Sequence, residues 1–75
     1  MPRFFFNHAS LPSGRNQDID GLKLPSLNNA LEEAAFAARE SIKIAKVSND
    51  YVEGVFEIED EGRVLVGRVP YRHIP

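Results

Sequence analysis

Cysteine and tryptophan are absent from this chain, glycine and proline number five each, and the N-terminal apolar run stops after Phe4, Phe5 and Phe6. Without cysteine there is no disulfide to restrict the unfolded chain and no thiolate for catalysis or metal binding. Nothing argues for an oxidising compartment, so a cytoplasmic location is expected. Three phenylalanines behind Arg3 are far too few for a signal-peptide core or a membrane span, which predicts a soluble protein with no membrane partner. Neither sign of charge dominates: nine Lys and Arg against eleven Asp and Glu give a net −2. That balance argues against sequence-independent binding to nucleic acid or anionic lipid.

The chemistry of sites is equally sparse. His8 and His73 are the only histidines, and neither stands in a His-x-x-x-His spacing. The acidic set Glu53, Glu57, Glu59, Asp60 and Glu61 lacks the alternating aspartates of a calcium loop and reads as a solvated face. Asp18 and Asp20 beside Gly21 read as a turn. There is no Gly-x-Ser-x-Gly elbow and no glycine-rich phosphate loop ahead of a helix. No catalytic residue, metal or cofactor is expected, and the chain is read as a non-enzyme.

What is present is one long amphipathic helix, expected from Ser26 to about Lys46. Leu27, Ala30, Leu31, Ala34, Ala35, Ala38, Ile42 and Ala45 recur at three- and four-residue steps and form one apolar stripe. Ser26 after Pro25 suits the N-cap, Glu32 and Glu33 lie towards the positive end of the dipole, and Lys43 and Lys46 lie towards the negative end.

Around it the pattern predicts strands. Arg3–His8 is aromatic-rich, with Phe4, Phe6 and His8 on one face and Phe5 on the other, which suits an interior strand. A loop over Ser10–Arg15 and a short strand over Asn16–Ile19 follow. Tyr51–Glu59 alternates, and Asp60-Glu61-Gly62 fits a three-residue hairpin loop with Gly62 in the left-handed conformation. The register then sets Glu59 against Arg63, Ile58 against Val64, Glu57 against Leu65 and Phe56 against Val66. It fails at Gly67-Arg68, where a β-bulge is expected to restore Val69 and Tyr71 to the buried face. Pro70 belongs on an edge strand, and residues 72–75 are read as a frayed tail.

These readings give an α+β class: a single domain over 1–75 in ββαββ order, with an antiparallel sheet of three to four strands and the helix on one face. The expected core joins Leu31, Ala38 and Ile42 to Phe4, Phe6, Phe56, Ile58, Val64 and Val66. A chain of 75 residues buries a smaller share of its surface than a larger one, and dimerisation is one way to add more.

Two features exceed what folding requires. Phe36 lies on the helix opposite the apolar stripe. Phe5, Val55 and Leu65 project from the sheet face that the helix leaves open, rimmed by charges that include Arg63, as an interface with an apolar centre would be. Phe5, Val55, Leu65, Phe36 and Arg63 are therefore candidates for an interface with a second copy or another protein, and the leading expectation is an interaction module that forms a homodimer through the open sheet face. The alternative is a sheet that stacks single-stranded nucleic acid through Arg3, Phe5, Arg63 and Arg68, although Glu53, Glu57 and Glu59 on that face would repel phosphates. A small-ligand protein or enzyme is a third class.

Several segments in order also resemble a known family. Pro2-Arg3-Phe4-Phe5-Phe6, Asp20-Gly21, Leu24-Pro25-Ser26-Leu27 before an alanine-rich helix, Phe56-Glu57-Ile58, Asp60 to Leu65 and a closing Val69-Pro70-Tyr71 are similar to short bacterial proteins catalogued as a domain of unknown function. The resemblance spans nearly the whole chain and implies the same fold, with no activity, cofactor or catalytic residue to carry over. The chain departs from the pattern at Asn7, where a histidine is expected, and in an extra residue near Gly67-Arg68.

Overall fold

A computed structural model describes residues 1–11 and 14–75. Its elements are β1 (Arg3–Leu11), β2 (Gly14–Asn16), β3 (Leu22–Lys23), α1 (Leu27–Ser48), β4 (Val52–Glu59) and β5 (Leu65–His73). The sheet is antiparallel, ordered β2-β1-β4-β5, and β3 pairs with the start of β1. The fold is α+β, with one helix on one face of a five-stranded sheet and the aromatic-rich β1 in its interior.

Helix α1 begins where Ser26 accepts a hydrogen bond from the Asn29 N–H and ends at Asn49, whose φ of 57° is the left-handed cap. It runs two residues beyond Lys46 because Asn49, which tolerates that conformation, is the first residue to break the ladder. Ala30, Ala34, Ala38 and Ala45 are buried on its inner face. Small side chains there bring the helix close to the sheet, where Ala30 and Ala34 meet Phe4 and Ile58, with Phe6, Leu24, Leu31, Phe56, Val66 and Val69 packed around them.

The hairpin loop begins one residue later than expected, which moves the β5 partners beside it by two residues. Arg63 N–H donates to the Asp60 carbonyl and Asp60 N–H to that of Val64, so the loop is Glu61-Gly62-Arg63. Arg63, with φ 63°, takes the left-handed position expected of Gly62. Asp60 decides this: its Oδ1 accepts the N–H groups of Gly62 and Val64, fixing the turn from its first residue. Glu59 therefore faces Leu65, Ile58 faces Gly67 and Phe56 faces Val69, with the register shift between Ile58 and Glu59. The bulged residue is Val66, not Gly67 or Arg68. Val64 leaves the expected core and is 59% exposed, whereas Val69 and Tyr71 do face the helix side. Gly67 serves packing instead: a Cβ there would lie 3.1 Å from Leu31 Cδ2, so its absence lets Leu31 down onto the sheet.

Three boundaries also move. β1 continues to Leu11, taking Ser10 out of the expected loop, whose Pro12 and Ser13 lie outside the described residues. The short strand is Gly14–Asn16 rather than Asn16–Ile19, because at Asp18 a side chain replaces the backbone: its Oδ2 accepts the Phe6 N–H at 3.0 Å. β5 carries Arg72 and His73 in the ladder, paired with Glu53 and Val52, so the expected fraying does not begin at 72. Pro70 lies on the edge strand opposite Val55.

Candidate functional site

The uncovered sheet face is organised in rows across β1, β4 and β5. Phe5, Glu59 and Leu65 form one row; Asn7, Glu57 and Arg68 the next; Ala9, Val55 and Pro70 the third; Leu11, Glu53 and Arg72 the last. Val55 is thereby separated from Phe5 and Leu65 by a polar row closed by the Arg68–Glu57 ion pair at 3.4 Å. The expected apolar patch is divided into two. One part is a shallow groove of about 430 Å³ whose lining includes Ala9, Leu11, Val55 and Pro70 beside Arg15 and Arg68.

In the other part Leu65 stays exposed, while Phe5 is already covered from within. The Arg63 guanidinium lies 3.9 Å from the centre of the Phe5 ring, and its Nε is 3.1 Å from Glu59 Oε1. That carboxylate oxygen makes no hydrogen bond, so the contact is Coulombic. Arg63 Nη1 donates to the Asp18 carbonyl, and Arg3 Nη1 donates to the Asp20 carbonyl at 2.7 Å. All three arginines of the nucleic-acid reading, Arg3, Arg63 and Arg68, are thus engaged within the chain, and the open side of the Phe5 ring is occupied.

Asp18 holds this corner together. Its carboxylate accepts the N–H groups of Phe6 and Gly21, while its own N–H donates to Asn7 Oδ1. Partial burial alone would raise its pKa, but the backbone N–H groups of Phe6, Gly21 and Asp20 and the nearby Arg63 bring the net value below the ordinary one. Turn and staple are the functions this geometry gives Asp18.

On the helix side, β1 and β5 flank β4 so that His8, Phe56 and Tyr71 meet. The His8 ring stacks on Phe56 with centroids 4.1 Å apart, and its Nε2 is hydrogen-bonded to the buried Tyr71 hydroxyl. Burial lowers the His8 pKa. Tyr71 in turn lies over Gly54, where a Cβ would collide with its ring.

Phe36 stands on the far side of α1 and is 55% exposed. Ile44 and Val47, farther along the helix, are more exposed still, at 68% and 90%. Phe36 therefore does not join the sheet-face residues; it belongs to a separate surface.

A family model described as "Domain of unknown function (DUF6894)" matches residues 3–72. The chain belongs to that family. The DUF6894 match runs from the first residue of β1 almost to the end of β5, so every group described above except His73 falls inside it. Neither a curated protein nor a solved structure matches the chain. Among the described residues of this DUF6894 chain, no helix is long and apolar enough to cross a membrane.

Sequence reasoning missed two constellations in this domain. The His8–Tyr71 pair spans almost the whole chain and could be found only with the bulge correctly placed. Asp18 was visible as a turn residue, but its use of the Phe6 N–H depends on where β2 ends.

Proposed function

We propose that this DUF6894 chain is a non-enzymatic protein-interaction module that acts in the cytoplasm as a homodimer. The observation that carries the reading is an imbalance in apolar burial. Among the described residues the buried core comprises Phe4, Ile58, Tyr71 and four alanines, with Ile58 the one large side chain fully buried, while Leu11, Leu65, Phe36, Ile44 and Val47 lie open to solvent. A small domain gains stability by covering such groups with a second copy. The titratable groups nearest a catalytic type have structural partners: His8 holds Tyr71 and Phe56, and Asp18 staples β1 to the Gly21 turn.

Sedimentation velocity across a concentration series tests the reading. A dimer with a dissociation constant at or below about 100 µM is expected, and a strict monomer throughout would sink it. The nucleic-acid reading gains nothing from Arg3, Phe5, Arg63 and Arg68, whose contacts are internal. No retention on a single-stranded oligonucleotide is expected at low salt, where a phosphate-led interaction would be strongest.

A further inference from the structure

We infer that, if the chain pairs with itself, it does so through the outer face of α1, the two helices running antiparallel; this rests on the homodimer reading above. The outward face should be the most polar part of a helix that covers a sheet. Here it carries three large exposed apolar side chains, Phe36, Ile44 and Val47. Phe36 and Val47 lie three turns apart and in line, with Ile44 beside them. The sheet face, by comparison, has its apolar residues separated by the Glu57–Arg68 row.

The charges on this face indicate which partner fits. Glu32 and Glu33 occupy its N-terminal half; Arg39, Lys43 and Lys46 occupy its C-terminal half. Among the described residues, Glu32, Arg39 and Lys46 make no ion pair, and Lys43 has only a 3.7 Å contact with Glu40, both largely exposed. A second copy laid antiparallel places acidic turns against basic ones. With the two-fold axis beside Arg39, Glu32 of each copy lies near Lys46 of the other on the same flank. Phe36 then rests on the Lys43 stem of the second copy, and Val47 meets its Glu32 turn. The two Arg39 side chains approach near the axis, where their length lets the guanidinium groups turn out to solvent. A shallow crossing of about 20° keeps this contact in register along the helices. A parallel arrangement would set acid against acid and base against base.

The experiment is sedimentation equilibrium of the full chain and five variants, with circular dichroism confirming the fold of each. Phe36→Glu is expected to weaken dimerisation at least ~tenfold, as loss of a central aromatic anchor does. Glu32→Lys and Lys46→Glu should each weaken it several-fold, and the double variant should restore it to within about twofold of wild type, since the charge pair is re-formed with reversed sign. Failure of the double variant to restore dimerisation overturns the antiparallel pairing. A dimer unaffected by Phe36→Glu but lost on Leu65→Asp overturns the helix face while leaving the homodimer reading intact. A monomeric wild type overturns both.

Discussion

Tyr71 over Gly54 shows how much depends on single atoms in this domain. The absence of one methyl group lets the ring descend to reach His8, so Gly54→Ala is expected to cost about 1–3 kcal/mol through displacement of Tyr71. Urea denaturation monitored by tyrosine fluorescence measures it. The same cluster sets a pH dependence. Because the folded pKa of His8 lies below its ordinary 6.5, the unfolded chain binds the extra proton. Stability from this residue is complete above 6.5 and declines as pH falls through that value towards the depressed folded one. Asp18, also depressed, adds a second loss as pH falls below 3.8. A urea midpoint that falls in two stages on acidification is expected, the first missing from His8→Phe and the second from Asp18→Asn.

Among the elements, the helix was the most legible from sequence. Its alanine stripe, Ser26 cap and extent follow from a period that neighbours need not reinforce. The buried alanines carry a specific expectation: Ala34→Leu should overfill the contact with Phe4 and Ile58 and cost about 1–3 kcal/mol, even though leucine favours helices nearly as well. Thermal unfolding compared with Lys43→Leu, at an exposed helix position, would separate packing from propensity. β1, β4 and β5 were legible as strands and as faces, with Val64 the exception, whereas β2 was expected later in the chain and the two-residue β3 not at all. Their register was not, because Asp60 starts the turn one residue later than glycine preference suggests, and Arg63 accepts the left-handed conformation in its place. A single-residue error at a loop propagates along the whole ladder, and the compensating bulge then shifts to Val66.

At the level of the molecule, the sheet's interior strand and its proline-bearing edge were both readable, since apolar residues on two faces and a missing N–H constrain position directly. The candidate interface was legible only in part. Phe36 could be located from the helical wheel, whereas grouping Phe5, Val55 and Leu65 required a register that the hairpin does not adopt. Self-association predicts that the melting temperature rises with protein concentration, by a few degrees per tenfold for a dimer of modest affinity. Differential scanning calorimetry at three concentrations checks it, and Phe36→Glu should flatten the response.

The interior position of β1 also governs when this domain can fold during synthesis. Phe6 waits for Ile58, and Ala9 for Val55, so the phenylalanines translated first are among the last to find a hydrogen-bonded neighbour on their β4 side. Until β4 is made, one edge of this aromatic strand stays unpaired, the kind of surface that invites aggregation.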